Sequence, residues 1–313
     1  MPFARRAHLV RVLAPAVSLV LVAGVASACS TASSDADPGG SGVVQVAASI
    51  NAWGSILAQL GGTHVHETSI ITNPDTDPHD YEPTPDDAKT IATSQLFVEN
   101  GIGYDSWAAK SLAASPDASR TVLDVGHLVG VPDGGNPHRW YSPADVATVA
   151  DAITADLTKL DPHDAAYFAA RHRTFVHHAL AGYDRLIAGI RDRFSGTRVG
   201  ASESIFAPLA SALHLDLITP ASFLKAISEG TDPSPADLST IDRQIEDKKI
   251  TVYVYNSQNA TPDVAAQVKA ARAAGIPVVP VTETLSPANA TFQQWQSGQL
   301  RALSAALAKA TGR

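Results

Sequence analysis

Two rhythms of apolar and polar residues run along most of the chain. An apolar stretch at residues 43–48 leads into helix-spaced apolar positions from Trp53 to Leu60, which stop at Gly61-Gly62, so a strand is expected to feed a helix. Residues 95–99 read as a buried strand, 104–112 as a helix and 120–124 as another strand. Alternation of this kind predicts a mostly parallel sheet with helices on both faces. From Pro143 the spacing turns helical through Val146, Val149, Ile153 and Leu157, breaks at Asp161-Pro162, and resumes through Tyr167, Phe175, Leu180, Tyr183, Ile187 and Ile190. After Ser195-Gly196 the alternation returns, with strands expected at 197–202, 215–218, 250–255 and 277–281 and helices at 206–213, 235–248, 261–274 and from Thr291. The fold class predicted is α/β: two similar lobes at 43–160 and 196–313, joined by one long helix at 161–195. No repeat of solenoid length is present.

The N-terminus follows a different logic. Arg5, Arg6 and Arg11 precede an apolar run at 12–25, then Ala26-Ser27-Ala28 and Cys29, the layout of a secretory signal. That run is shorter than the ~20 residues a membrane span needs. Residues 30–42 are rich in Ser, Asp, Gly and Pro and read as a linker. The expected division is a signal peptide at 1–28 and a flexible linker at 29–42, with the protein outside the cytoplasmic membrane. Arg5-Arg6 leaves both the general and the twin-arginine export routes open. Cys29 is the sole cysteine, so no internal disulfide can form. Its position resembles the lipobox of bacterial lipoproteins, in which the thiol is acylated, although Ala26 stands where those usually carry Leu. Lipid anchoring is the preferred reading and simple secretion the other. The net charge of −8, with no basic block after the signal, argues against a nucleic-acid partner.

Candidate chemistry is concentrated in two segments. Asp77-Pro78-His79-Asp80-Tyr81-Glu82-Pro83 is a proline-bounded loop that would fix one histidine. Asn136-Pro137-His138-Arg139-Trp140-Tyr141-Ser142-Pro143 repeats the Pro-His placement and opens a helix, with Ser142 as N-cap and Pro143 at the first helical position. Two rigidly presented histidines suit a preformed metal site; either one alone is more often an ordinary loop residue. His64 and His66 share a strand face and read as a solvated strand, with a secondary site as the other reading. His172, His177 and His178 lie among Arg171, Arg173 and Arg185, a setting that repels a cation. His127, His163 and His214 show no partner spacing.

Four segments in order, residues 77–87, 99–107, 136–143 and 227–238, make the chain resemble the zinc- and manganese-specific class of ABC-transporter solute-binding proteins. The resemblance covers nearly everything from Val43 onward. It implies a receptor with one metal ion held between two lobes, docking as a monomer onto a membrane permease. It also implies ligands at His79 and His138 from the first lobe, at Glu203 after the strand that follows the long helix, and at Glu283 after the last strand. Read without the resemblance, Glu203 would be a helix-start carboxylate and Glu283 a strand-end surface residue. Asn256 departs from the family, where Glu is usual. Two imidazoles and two carboxylates suit a borderline divalent ion. Manganese is the first expectation and zinc the second, since the histidine-rich loop of the family's zinc importers is absent. The alternatives are a secreted metallohydrolase, for which no HExxH helix exists, and a metal-containing surface adhesin, for which no residue specifies a host ligand. An enzyme is not expected.

Overall fold

The computed structural model describes residues 42–75, 77–259 and 261–313. The expected signal, Cys29 and the linker as far as Ser41 lie outside the described residues.

The first four strands, β1 (Val44–Ile50), β2 (Val65–Ile71), β3 (Leu96–Glu99) and β4 (Thr121–Asp124), form one sheet in the order β2-β1-β3-β4. The last four, β5 (Arg198–Ala201), β6 (Asp216–Leu217), β7 (Val252–Asn256) and β8 (Val278–Val281), repeat that order as β6-β5-β7-β8. Every pairing is parallel, so each connection crosses over, and the expected α/β architecture of two similar lobes is found. In each sheet the chain first steps to one side of the leading strand and then to the other. A ligand site is expected beyond the carboxyl ends of the strands at such a switch point.

Helices α1 (Asn51–Gly61), α2 (Pro85–Thr93) and α3 (Ser106–Ala114) lie in the first sheet's connections, and the single turn α4 (Val125–Leu128) follows its last strand. Trp53 of α1 is fully buried, and its indole N–H donates to Asn100 Oδ1 at 3.0 Å. Helix α5 (Pro143–Leu160) begins as predicted: Ser142 Oγ accepts from the Asp145 N–H and Pro143 occupies the first turn. The second sheet is served by α8 (Ala207–Ala212), α9 (Ala221–Ser228), α10 (Pro235–Glu246), α11 (Pro262–Ala273) and α12 (Phe292–Thr311). Helix α2, the single turn α4 and helix α9 had no predicted counterpart, and of strand β2 only the strand spacing at His64 and His66 was read.

The connector expected as one helix is built as α6 (Ala165–Thr174) and α7 (Ala181–Phe194), fused through a π-turn at Phe175–Ala179. Its cause is in the apolar spacing. Phe175 and Leu180 are both buried but five residues apart, a step that swings about 140° off the stripe in an α-helix. One wide turn, with the Leu180 N–H donating to Phe175 O at 2.9 Å, absorbs most of that offset. The connector is tied at both ends. Tyr167 Oη accepts from the Thr63 N–H at 3.0 Å and Arg171 Nε donates to Gln59 O at 2.8 Å, beside α1. Gly62 permits that approach, because it holds φ +56° and a Cβ there would lie 2.1 Å from the Tyr167 hydroxyl. Tyr183, at the start of α7, packs edge-on against Phe292 of α12 with ring centroids 6.0 Å apart, and at the far end Arg193 Nη2 donates to Arg313 O at 2.9 Å.

Candidate metal centre

His79 sits in the turn Pro78–Asp80 after β2, where Asp77 Oδ1 accepts its backbone N–H at 2.9 Å. His138 lies between β4 and α5. Glu203 follows β5 and Glu283 follows β8. All four predicted residues meet: one ligand atom from each lies within 4.8 Å of the other three. His138, Glu203 and Glu283 are fully buried, and only His79, 22% exposed, reaches solvent.

Distances decide what the cluster can hold. His138 Nε2 is 3.4 Å from Glu203 Oε1 and 3.6 Å from Glu283 Oε2, and His79 Nε2 is 3.6 Å from the same Glu283 oxygen. Donors held ~2.0–2.2 Å from a tetrahedral ion are about 3.3–3.6 Å apart. Both Nε2 atoms are buried and lack a hydrogen-bond partner. Such orphaned atoms are uncommon without a purpose, and here both face carboxylate oxygens across the space an ion would fill.

The histidine tautomer follows from its neighbours. Asn136 Nδ2 donates to Ser204 O at 2.7 Å, so its Oδ1 is the atom 3.0 Å from His138 Nδ1. That oxygen can only accept, hence Nδ1 carries the proton and Nε2 presents its lone pair to the site. Burial holds the His138 pKa below its ordinary value against the opposing pull of Glu283. Replacing Asn136 with Ala is expected to weaken metal binding about ten- to a hundredfold, the usual effect of losing a partner that orients a ligand. A competition titration against a chelator of known affinity checks it.

The carboxylates are held as an unequal pair. Burial and the neighbouring Glu283 charge raise Glu203 well above an ordinary carboxyl, which favours its protonated form. Burial would raise Glu283 too, but the His79 and His138 imidazoles and the Tyr104 hydroxyl outweigh it and hold it at about 2. Tyr104 Oη donates to Glu283 Oε2 at 2.8 Å, and Asn256 Nδ2 donates to both Glu203 Oε2 (2.9 Å) and Glu283 Oε1 (2.8 Å). The Glu283 N–H donates to Gln258 Oε1 at 2.6 Å. These supporting roles of Tyr104, Asn136, Asn256 and Gln258 were not read from the sequence. A cavity of about 500 Å³, bordered by His79, Tyr104, Asn136, Ser204 and Ser228, opens beside the cluster.

The remaining histidines stay apart from this centre. His66 is exposed on β2. His64 instead pairs with Asp164, stacks on Tyr167 and lies near Asp161. His172 pairs with Asp151 at 2.7 Å. Among the described residues no helix is long and apolar enough to cross a membrane.

The family described as "Zinc-uptake complex component A periplasmic" matches residues 46–306. The manganese-binding lipoprotein MntA of Halalkalibacterium halodurans is 24% identical over 163 residues, 50% of this chain and 53% of that protein, so the chain spans about half of that relative. The manganese ABC transporter substrate-binding lipoprotein PsaA of Streptococcus pneumoniae is 22% identical over 263 residues, covering 78% of this chain and 82% of its own length. Among solved structures, the crystal structure of ZnuA superposes with a TM-score of 0.68 at 22% identity, covering 86% of this chain and 99% of that one. The Mn2+ complex of FpvC from Pseudomonas aeruginosa superposes with a TM-score of 0.69 at 19% identity, covering 85% and 98%. Those two structures bear on the fold alone, whereas the family match spans most of the sequence: the chain belongs to the zinc-uptake complex component A family.

Proposed function

We propose that this protein is an extracytoplasmic receptor that captures one divalent transition-metal ion, manganese or zinc, and delivers it to an ABC importer in the membrane. The observation that carries the reading is the buried meeting of His79, His138, Glu203 and Glu283, with two orphaned imidazole nitrogens 3.4–3.6 Å from carboxylate oxygens. These four are the ligands in this reading, two from the loops of the first sheet and two from those of the second. An ion between the sheets favours the state in which both sets of donors are together, and the permease would read that state. Cys29 is the lipid anchor, the segment to residue 42 the tether, and the protein acts as a monomer.

A receptor fits better than a metallohydrolase. With four protein donors a tetrahedral ion has no open position for a reacting water, and the site's supporting groups all orient donors. The manganese-binding and zinc-uptake names of the relatives favour the same reading. Metal analysis of protein purified without chelator is expected to find one equivalent of zinc or manganese, removed by a strong chelator. Protein isolated with neither ion from cells supplied with both would contradict the proposal.

A further inference from the structure

We infer that Asn256 makes the site prefer zinc over manganese by holding both carboxylates to a single ligating oxygen each, an inference that rests on the four-ligand reading above. Asn256 is the last residue of β7 and is fully buried. Its backbone is fixed by pairing opposite Val281 and by its N–H, which donates to Ser202 Oγ at 3.1 Å. The Gln258 N–H donates to Asn256 Oδ1 at 3.0 Å, so the amide cannot turn over and Nδ2 must face the acids.

The two hydrogens of that nitrogen meet Glu203 Oε2 and Glu283 Oε1. The oxygens facing the imidazoles are the other two, Glu203 Oε1 and Glu283 Oε2. For either acid to bind an ion through both oxygens, the oxygen that accepts from the amide must also turn a lone pair to the ion, which draws it off the line of the N–H and weakens that hydrogen bond. The amide thus favours two nitrogen and two oxygen donors, one per side chain. Zinc takes four such ligands tetrahedrally, whereas manganese favours an octahedral, oxygen-rich sphere, to which the two acids contribute most when each binds through both oxygens. The manganese-first expectation drawn from the missing histidine-rich loop is reversed by a residue that touches no ion.

Cobalt(II) reads the geometry directly. Added to the ion-free wild-type chain, it is expected to give the intense visible absorption of a four-coordinate ion. In Asn256→Ala the carboxylates are freed, the band is expected to weaken toward that of five or six ligands, and the zinc-over-manganese preference measured by competition should fall about tenfold or more. Weak, six-coordinate cobalt absorption in the wild type would overturn the inference without any variant, as would an unchanged spectrum and preference in a folded Asn256→Ala. Failure of the wild type to bind cobalt, zinc or manganese would overturn the receptor reading and this one with it, and so separates the two.

Discussion

Changing His138 to Ala should lower metal affinity by at least a thousandfold or so while leaving the protein folded. An orienting partner is worth about ten- to a hundredfold, and a donor atom more. His138 faces both acids and is held by Asn136 and, at 3.3 Å, by Ser204. Its loss would leave Glu283 with His79 as the sole imidazole near it. The fold should survive, since the main core lies in the two sheets and their helices. Chelator competition with circular dichroism tests both halves. Affinity within tenfold of wild type in a folded variant would remove His138 from the ligand set.

A large pH dependence should accompany binding. Burial and the Glu283 charge raise Glu203, which favours its protonated form in the ion-free protein. An ion needs the carboxylate, so below that raised value each bound ion must displace one proton, and affinity should fall about tenfold per pH unit on acidification. Near pH 6 the slope should steepen. Asp77, raised to about 6 by burial and by Glu283, takes up a further proton there, and the incoming positive charge must expel that proton too. Glu203→Gln copies the protonated acid: it should leave ion-free stability intact, abolish this proton release and lose tight binding. Calorimetry in buffers of different ionisation enthalpy counts the protons. Zero release even at the acid end of the range would mean that Glu203 does not ligate.

How much of this was readable from the sequence depended on how local each signal was. The Pro-His loops announced themselves because prolines and histidines sit side by side, and the Ser142 cap needs only its own next three residues. Glu203 and Glu283 were reachable only through family resemblance. A glutamate after a strand is ordinary until folding brings β5 and β8 beside the first lobe's loops. Tyr104 and Glu283 are 179 positions apart, and no spacing rule connects them. Asn256 was noticed as a departure from the family, but its meaning required knowing that two acids meet at one amide. Edge strand β2, only one of whose seven residues is buried, has too weak an alternation to stand out. Helix α2 buries Ile91 alone, yet its capping box, Thr84 with Asp87, was a legible start signal that went unread. The π-turn was visible as a five-residue step between apolar positions and was smoothed into a single helix.

The central claim is that one ion is held jointly by His79, His138, Glu203 and Glu283, and calorimetric titration of the ion-free chain from Ser30 onward, which keeps every described residue, tests it most directly. Zinc and manganese should each bind with a stoichiometry of one, and neither should bind tightly to the His79→Ala, His138→Ala double variant. No binding to the wild type, or equal binding to the double variant, would contradict it.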